Sequence, residues 1–356
     1  MFRRELILEL TTRGHSVYAL APNYTAEVEA SVSEIGAIPI AAGFQRCGLN
    51  IINDIYQFLR LVVLIRQVGP DLVLAYTIKP VIYGTIAAWI SGVPKRFALI
   101  TGLGYAFLDG GMVQSSVGFF VRKVYRYAMM ISTGVIFQNP DDHKLFCSLG
   151  FVKKLPTKII NGSGVNLKNF PFQPIVLTQF VFLFSGRLYR EKGIREFVSA
   201  ARRIHKINPK IRFVVIGVRD ENPNAIPEIE IQGWMNEGIV EFRGWVTNVQ
   251  LALKECSVFV LPSYREGTPR SVLEAMATGR PIITTDAPGC RQTIVNGING
   301  WLVKPQDEKS LADAMLDAIA KKSHLNSMGF ASRNIAVARF DVTSVNREIL
   351  EFMTIK

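Results

Sequence analysis

Short apolar runs alternate with helical patterns along this chain of 356 residues, and the alternation restricts the fold more than any other feature. Strands separated by helical segments are typical of parallel α/β units. In the first half the candidate strands are Ser16–Leu20, Ala37–Ile40, Asp71–Tyr76, Phe97–Thr101, Gly134–Phe137 and Lys158–Asn161. In the second half they are Phe180–Ser185, Arg212–Gly217, Val240–Phe242, Val258–Leu261, Ile282–Thr285 and Gly300–Val303.

Helical periodicity fills many of the connections between these strands. The helical segments are Asn50–Val68, Gly193–Ile207, Asn248–Glu255, Arg270–Thr278 and Asp307–Lys321. Two prolines in Phe170-Pro-Phe-Gln-Pro174 interrupt the pattern and predict a linker. We therefore expect two doubly wound, Rossmann-like α/β domains over residues 1–170 and 171–340. A last helix in residues 341–356 is expected to cross back to the first domain.

The beginning of the chain departs from this plan. A doubly wound domain normally opens with a strand and a glycine-containing turn, whereas residues 1–10 have a helical pattern that ends near Gly14. The first strand of the N-terminal domain is therefore predicted to be missing, as a late start codon or a truncated chain would cause. If the polypeptide begins at Met1, we expect weak or absent activity, and restoring upstream codons would test this.

Basic residues are concentrated in one part of the chain. The net charge is +12, and residues 95–168 carry ten Lys/Arg against three Asp/Glu. We find no nucleic-acid-binding motif there, so we favour anionic lipid and phosphate as partners and exclude nucleic acid. Within it, residues 112–130 mix aromatic side chains with Arg122, Lys123 and Arg126. This segment is either a helix in a membrane interface or a core-facing helix with a solvated basic face.

The cysteine and histidine positions argue against metal and disulfide chemistry. The four Cys and four His residues are scattered without metal-ligand spacing. No secretory signal precedes the fold, and we find no uninterrupted apolar span long enough to cross a bilayer. We expect a cytoplasmic protein that associates peripherally with the inner membrane.

Two carboxylates in Glu266-Gly-Thr-Pro-Arg-Ser-Val-Leu-Glu274 follow the apolar strand Val258–Leu261. Pro269 suits the first position of a helix, which would leave Glu266 in the loop and Glu274 on the helix. The N–H groups and the dipole at that helix start would attract a phosphate, and the carboxylates could accept hydrogen bonds from hydroxyl groups. The alternative is a pair of surface glutamates that form ordinary ion pairs.

A second motif, Ser185-Gly-Arg-Leu-Tyr-Arg-Glu-Lys-Gly193, follows the strand Phe180–Ser185. Ligands of open α/β sheets bind beyond the carboxyl ends of the strands. Arg187 and Lys192 could therefore hold a diphosphate there, although a solvated basic loop is the alternative.

Arg219 lies in Gly217-Val-Arg-Asp-Glu-Asn-Pro223, directly after the strand Arg212–Gly217. It could reach a ligand at the same sheet edge, and an ordinary polar turn is equally compatible with the pattern.

In the first domain, Thr101-Gly-Leu-Gly-Tyr105 and Tyr76-Thr-Ile-Lys-Pro80 both follow strands. Gly102 and Gly104 permit close approach of the backbone to a ligand. Lys79 could contact an acceptor phosphate on this side, which would form the facing wall of a cleft.

Taken together, these motifs resemble the retaining glycosyltransferases of the GT-B fold, in the group-1 (family 4) set. The signatures are Gly186-Arg-Leu with Glu191-Lys-Gly193, the Glu266 to Glu274 spacing, and Asn296-Gly-Ile-Asn-Gly-Trp-Leu-Val303. The segments Ala98–Gly104, Arg219–Pro223 and Ser163–Lys168 are similar to one branch in particular. That branch contains the bacterial transferases that add N-acetylgalactosamine to undecaprenyl-diphosphate-linked sugars.

The resemblance implies a role for each matching residue. The second domain would bind a UDP-linked sugar, with Arg187 and Lys192 on the leaving diphosphate, Glu266 on the sugar hydroxyls and Glu274 on the ribose. Backbone N–H groups near Thr268 to Val272 would complete the phosphate site. The catalytic residues would be Arg187, Lys192 and Glu266. The donor-binding residues would be Gly186, Arg219, Gly267, Thr268, Arg270, Ser271 and Glu274. The acceptor-side residues would be Lys79, Thr101 and Gly102.

The reaction implied is transfer with retention at the anomeric carbon, in which the leaving phosphate takes the acceptor's proton. No cofactor or catalytic metal is expected, and the chain contains no Asp-x-Asp sequence. Many relatives carry a histidine where this chain has Thr101, so a histidine role cannot be transferred.

The sequence thus predicts a glycosyltransferase that extends a polyprenyl-diphosphate-linked glycan of O-antigen, capsule or exopolysaccharide, with anionic inner-leaflet lipid as a further partner. The alternatives are a sugar-nucleotide 2-epimerase of the same fold and an inactive, truncated sugar-nucleotide-binding protein.

Overall fold

The computed structural model describes residues 3–43, 51–102, 116–220, 222 and 224–355, except for the side chains of 51, 52 and 116–120. The chain divides into two compact units. The first comprises Met1–Ser163 with Val345–Lys356, and the second comprises Gly164–Ser344.

The first unit alternates helices and strands. Its helices are α1 (Arg4–Thr12), α2 (Ala26–Glu34), α3 (Ile51–Val68), α4 (Ile78–Ile90), α5 (Ser116–Met130) and α6 (Pro140–Ser148). Its strands are β1 (Tyr18–Ala21), β2 (Ile38–Ala41), β3 (Leu72–Tyr76), β4 (Lys95–Ile100), β5 (Gly134–Phe137) and β6 (Thr157–Ile159).

The described strands of the first unit form two parallel sheets. β1 pairs with β2, and the other four strands form a sheet of order β3-β4-β5-β6. Tyr76 is in register with Leu99, so the segments that carry Lys79 and Thr101 leave neighbouring strands at the same edge. No strand precedes β1 among the described residues, where α1 is the first element.

The second unit has one parallel sheet of order β12-β11-β10-β7-β8-β9. Its strands are β7 (Val181–Ser185), β8 (Arg212–Ile216), β9 (Val240–Phe242), β10 (Val258–Leu261), β11 (Ile282–Thr285) and β12 (Gly300–Val303). Its helices are α7 (Ile194–Ile207), α8 (Glu228–Glu237), α9 (Val249–Glu255), α10 (Arg270–Thr278), α11 (Glu308–Ala320) and α12 (Leu325–Arg339).

The central strands of this sheet are buried on both faces. All residues of β7, β10 and β11 are buried, because helices cover a parallel sheet on both sides. Their side chains form a single core with α7, α10, α11 and α12. This rigid sheet positions the loops at its carboxyl edge.

The last helix, α13 (Val342–Phe352), packs against the four-stranded sheet of the first unit. Val345, Ile349 and Leu350 are buried there with Phe97 and Leu99 of β4. The α4, α5 and α6 side chains pack into a separate core cluster with the same sheet. The four-stranded sheet is therefore part of two hydrophobic clusters.

The first unit ends at Ser163, before the predicted linker at 170–174. The physical reason is that Phe170 and Ile175 are buried in the core of the second unit. Val165 is also hydrogen-bonded within the second unit: its N–H donates to the Phe340 carbonyl at 2.8 Å, and its carbonyl accepts from the N–H of Val342 at 3.1 Å.

The α/β class with parallel sheets is confirmed, whereas five of the described helices have no counterpart among the predicted segments: α2, α4, α6, α8 and α12. α4 illustrates the reason. It is apolar almost all round because it packs against both α3 and α5, so it lacks the one-sided pattern that marks a surface helix.

Candidate active site

Lys192 and Glu266 form a direct ion pair at the carboxyl edge of the six-stranded sheet. Lys192 ends the 3₁₀ turn Arg190–Lys192 after β7, and Glu266 lies in the loop after β10. The two strands are neighbours, so side chains 74 residues apart in sequence meet. Both are more than three-quarters buried, which strengthens the attraction between their charges.

Gly193 allows the turn that carries Lys192 to lie against the β10 loop. Its φ is +72°, and a Cβ atom at this position would stand 2.2 Å from the carbonyl oxygen of Pro262. Only glycine satisfies both requirements without movement of the backbone.

The backbone of the Glu266 loop rests on the turn that follows β11. Glu266 N–H donates to the carbonyl of Pro288 at 2.9 Å. A Cβ on Gly289, whose φ is +79°, would lie 2.1 Å from the Glu266 carbonyl oxygen. This support was not predicted, although a Pro-Gly turn at the carboxyl end of a strand was a signal for it.

Tyr264 ties the same loop to the Lys192 turn. Its N–H donates to the carbonyl of Glu191 at 2.8 Å, and its hydroxyl donates to the Glu196 carboxylate of α7 at 2.5 Å. Burial, with the Glu196 carboxylate, raises the pKa of the Tyr264 hydroxyl, which therefore stays a donor. Sequence reasoning missed both residues, because the contact joins separate segments.

Glu274 lies on α10, where Arg270 Nε donates to its carboxylate at 2.9 Å. Burial raises the pKa of Glu274, and the charge of Arg270 partly opposes that rise. A nearly buried carboxylate at this position can accept hydrogen bonds from hydroxyl groups brought to it.

Pro269 precedes α10 as its N-cap, with an extended ψ of 113°, and is not its first helical residue as predicted. Val272 N–H already donates to the Pro269 carbonyl at 3.1 Å. The N–H groups of the first turn of α10 that have no intrahelical acceptor therefore belong to Arg270 and Ser271, whereas the N–H of Val272, at the end of the predicted anion site, is already bonded. Gly267 and Thr268 are buried beside it.

Arg187 follows β7 and packs on an aromatic ring that the sequence analysis did not select. Its guanidinium lies 4.8 Å from the ring centroid of Tyr189, donates to the Tyr189 hydroxyl at 3.0 Å, and lies 3.8 Å from Asp220. Burial, followed by the hydrogen bond to Asp220, raises the pKa of Tyr189 to about 12. These contacts hold an exposed cation in one orientation.

Two further predicted residues lie on the neighbouring loops of the same edge. Arg219, after β8, is exposed and donates through Nε to the Ile226 carbonyl at 3.1 Å. Gly186 approaches Gly217, where a Cβ would stand 1.9 Å from the Gly186 carbonyl oxygen. The donor-side residues predicted from sequence thus all belong to the second unit.

The acceptor-side residues belong to the first unit. Lys79 is in the first turn of α4 and pairs with Asp54 of α3 at 3.3 Å. Asp54 is buried and also accepts a hydrogen bond from Tyr83 at 3.3 Å. Sequence reasoning missed Asp54, since a single acid in an apolar helix carries no distinctive signal.

The backbone at the end of β3 is strained. Thr77 has a φ of +71°, which is unusual for a β-branched residue. Gly102, next to Thr101 at the end of β4, has a φ of +109°. Gly104 lies outside the described residues.

The described part of α5 fits the core-facing alternative for the basic segment. Tyr125, Ala128 and Met129 are buried, while Lys123 and Arg126 are exposed. Residues 112–115 lie outside the described residues. None of the described helices is long and apolar enough to span a membrane.

Within the described residues, no three His, Cys, Asp or Glu side chains are grouped so as to hold a metal ion. The chemistry available at the sheet edge is instead a set of cations, carboxylates and N–H groups. Such a set can bind a diphosphate and hydroxyl groups together.

Two proteins of known structure share this fold. The chain is similar to sucrose-phosphate synthase of Thermosynechococcus elongatus, with 20% identity, a TM-score of 0.80, and coverage of 99% of this chain and 91% of that chain. It is also similar to Anabaena HepE, solved in complex with UDP-glucose, at 19% identity and a TM-score of 0.77, covering 99% and 94%. These likenesses define a GT-B fold.

Sequence comparisons give the family. A model described as "Glycosyl transferases group 1" matches residues 179–321, and one described as "Glycosyl transferase 4-like" matches residues 1–139. A Campylobacter jejuni N,N'-diacetylbacillosaminyl-diphospho-undecaprenol alpha-1,3-N-acetylgalactosaminyltransferase is 30% identical over 326 residues, covering 88% of this chain and 84% of that protein. The chain therefore belongs to the group-1 glycosyltransferases, as the sequence motifs predicted.

Two further bacterial glycosyltransferases are similar to this chain. An Escherichia coli UDP-Gal:alpha-D-GlcNAc-diphosphoundecaprenol alpha-1,3-galactosyltransferase is 27% identical, covering 83% of this chain and 78% of that protein. The Staphylococcus aureus capsular polysaccharide biosynthesis glycosyltransferase CapM is 25% identical, covering 85% and 81%. The predicted glycosyltransferase activity is confirmed at this level.

Proposed function

We propose that this protein transfers a hexose or N-acetylhexosamine from a UDP-linked sugar to a polyprenyl-diphosphate-linked glycan in surface polysaccharide synthesis. The observation that carries the proposal is the Lys192–Glu266 pair, which brings a cation and an acid together at the carboxyl edge of the sheet. The printed names of the Campylobacter jejuni and Escherichia coli relatives supply the polyprenyl-diphosphate acceptor. HepE, with UDP-glucose, supports a UDP-linked donor.

The donor is proposed to lie across the loops after β10, β7 and β8. Lys192 and Arg187 bind the diphosphate, with Arg219 on the adjacent loop, and the N–H groups of Arg270 and Ser271 complete the anion site. Glu266 accepts hydrogen bonds from the sugar hydroxyls, and Glu274 accepts them from the ribose. Support comes from the positions of these side chains at one sheet edge.

Transfer is proposed to proceed with retention. The bond between the anomeric carbon and the diphosphate oxygen breaks while the acceptor hydroxyl attacks from the same face. A phosphate oxygen of the leaving UDP takes the proton of that hydroxyl. Lys192 and Arg187 stabilise the negative charge that develops on the diphosphate, which is the largest contribution a site of this composition can make.

The acceptor is proposed to bind in the first unit, where Lys79, Thr101 and Gly102 follow neighbouring strands. Lys79 would contact the acceptor diphosphate. Because such an acceptor is embedded in a bilayer, the protein is proposed to act as a peripheral protein at the cytoplasmic face of the inner membrane.

The test is transfer of radiolabelled sugar from UDP-GalNAc, UDP-GlcNAc, UDP-Gal and UDP-Glc, with and without a polyprenyl-diphosphate-linked N-acetylhexosamine. GDP-mannose is the donor control. We expect label in the lipid product from one or two UDP-sugars only when the acceptor is present. Epimerisation of the UDP-sugar without acceptor would instead indicate a 2-epimerase, and binding without turnover an inactive protein.

The stereochemistry needs a separate measurement. The anomeric proton coupling in the product distinguishes an α from a β linkage. An α linkage from an α-linked donor is the expected result, and a β linkage would contradict retention.

A further inference from the structure

One face of α3 exposes an unbroken apolar stripe. Ile55, Leu59 and Val63 are spaced four residues apart and are more than half exposed, as is Tyr56 beside them. Four residues of α-helix rise roughly 6 Å, so the three aliphatic side chains extend over roughly 12 Å. Exposed large side chains are ordinary singly, whereas a contiguous row of them marks an interaction surface. We call Ile55, Tyr56, Leu59 and Val63 the α3 stripe.

A cavity of about 420 Å³ opens beside the α3 stripe. Its walls include Tyr56, Leu59 and Val63 on the helix and Ile40 and Ala42 at the end of β2. The stripe is therefore continuous with an apolar recess large enough to admit part of a hydrocarbon chain.

The exposed charges on α3 itself are positive. Arg60 and Arg66 are the exposed charged residues among the described side chains of α3, and its acid, Asp54, is buried against Lys79. Arg60 lies 5.8 Å from the ring centroid of Tyr56. An exposed apolar row with arginines beside it is the composition of a helix that lies in a membrane interface, with its cations at anionic headgroups.

The stripe also begins at the proposed acceptor site. Ile55 directly follows Asp54, the buried partner of Lys79. A lipid-linked acceptor whose diphosphate is held near Lys79 would have its hydrocarbon tail leave the protein beside α3. The exit of the tail beside α3 rests on the proposed function, whereas the exposure and charge of the stripe do not.

We propose that the α3 stripe, with Arg60 and Arg66, is the surface by which this protein docks on a bilayer containing anionic lipid. The stripe inserts at the level of the acyl-chain boundary, and the two guanidinium groups bind lipid phosphates. The membrane contact that the sequence left as one of two alternatives for residues 112–130 is thereby assigned to a different helix.

The experiment is binding of the full chain to vesicles by co-sedimentation, with no acceptor and no nucleotide sugar. One set of vesicles contains phosphatidylglycerol and phosphatidylethanolamine, and the other contains phosphatidylcholine alone. Three variants are compared with the unaltered protein: L59S/V63S, R60Q/R66Q and the control I229S. Ile229 on α8 is 83% exposed, so it matches the loss of an exposed aliphatic side chain in the second unit.

We expect the unaltered protein and I229S to bind the anionic vesicles equally. L59S/V63S should bind at least about tenfold more weakly, because two aliphatic side chains are no longer present to transfer from water into the bilayer. R60Q/R66Q should lose about tenfold on anionic vesicles, and added salt should weaken the unaltered protein in the same way. Circular dichroism and thermal melting establish that each variant is folded.

Equal binding by L59S/V63S and the unaltered protein, or an equal loss in I229S, would overturn the proposal. The proposal would also be overturned if the unaltered protein did not bind vesicles and formed a dimer that the L59S/V63S substitutions convert to a monomer. A second copy of the chain would then cover the stripe. If the protein transfers sugar but its vesicle binding is unchanged by the α3 substitutions, only the docking surface is wrong. If vesicle binding depends on α3 but no sugar is transferred, only the proposed function is wrong.

Discussion

At the residue scale, the Lys192–Glu266 pair concentrates opposite charges where water is largely excluded. Charges in such a position interact more strongly with a ligand than exposed charges do, and their geometry is set before the ligand arrives. We therefore propose that the pair serves both donor binding and charge stabilisation. The exposed ion pairs elsewhere on the chain, such as Lys309 with Asp313, have no comparable environment.

Replacing either member of the pair tests this view. We expect Lys192→Ala and Glu266→Ala each to lower kcat for sugar transfer by about 10²-fold or more, because each removes a group proposed to stabilise the donor in the transition state. Lys309→Ala is the control. Activity within threefold of the unaltered protein in Lys192→Ala, with the fold intact by circular dichroism, would contradict the assignment.

The pKa of Glu274 makes a pH prediction. Burial raises this pKa above its ordinary value of 4.5, and only the carboxylate can accept hydrogen bonds on all its lone pairs. Transfer measured as kcat/KM should therefore decline on the acid side at a pH above 4.5, as Glu274 takes up a proton. Glu274→Gln should lower kcat/KM and remove this decline, whereas the exposed Glu228→Gln should retain it.

The same shift has a consequence for stability. A raised pKa in the folded state means that ionised Glu274 costs folding free energy above that pKa, and that the cost disappears as the pH falls towards the unfolded value. Glu274→Gln should therefore be no less stable than the unaltered protein at pH 7. A large loss of stability in urea unfolding at pH 7 would show that the Arg270 contact outweighs the burial.

At the element scale, loops from different strands are held against one another by contacts that leave no room for a side chain. The Lys192 turn lies on the β10 loop at Gly193, and the β10 loop lies on the β11 turn at Gly289. These two contacts fix the spacing of three loops at the sheet edge. The site is therefore built by packing of backbone against backbone.

Two glycines with similar φ values allow the effect of a packing clash to be measured separately from that of backbone strain. Gly193→Ala places a Cβ 2.2 Å from a carbonyl oxygen, whereas Gly238→Ala, at φ +67°, meets no atom within 4 Å. We expect Gly238→Ala to lower the free energy of unfolding by about 1–2 kcal/mol from strain alone. Gly193→Ala should cost roughly 3 kcal/mol or more and lower kcat, because Lys192 is displaced. Equal effects of the two variants on stability and rate would show that the contact with Pro262 is unimportant.

The Tyr264–Glu196 hydrogen bond is predicted to connect the β10 loop to α7 energetically. A double-mutant cycle with Tyr264→Phe and Glu196→Gln should give a coupling energy of roughly 1–3 kcal/mol in urea unfolding, as for a partly buried hydrogen bond to a charged acceptor. The same cycle on exposed Lys309 and Asp313 should give about 0.5 kcal/mol or less. A coupling for the Tyr264 pair as small as the control would mean that the bond does not hold the loop.

At the scale of the whole molecule, the last helix completes the first unit. Ile349 of α13 is fully buried against the four-stranded sheet, although the second unit precedes it in the chain. Stability of the first unit therefore depends on its most distant segment in sequence.

Ile349→Ala should lower the free energy of unfolding of the first unit by about 2–5 kcal/mol, as large-to-small changes in a core do. Hydrogen exchange should then show reduced protection in β3 to β6 and unchanged protection in β7 to β12. The control is Val337→Ala on α12, which is half exposed. Equal loss of protection in both units would show that they unfold together.

The sequence alone determined the succession of the strands, some of the helices, and the loops that carry the donor-side residues. The reason is local: strand and helix periods are properties of short segments, and β5, β9, β10, β11, β12 and α10 have the bounds that the pattern predicts. Because ligand-binding loops follow parallel strands, Lys192 and Glu266 could be selected as well.

Only the tertiary structure decided which of these residues touch. Three contacts join segments that no local pattern connects: Lys192 with Glu266, Gly193 with the Pro262 carbonyl, and Lys79 with the buried Asp54. The structure also decided which apolar face is covered: α5 packs its face into the core, whereas α3 exposes four large apolar side chains. Periodicity shows that a helix has an apolar face, but its neighbours in space determine whether that face meets protein or solvent.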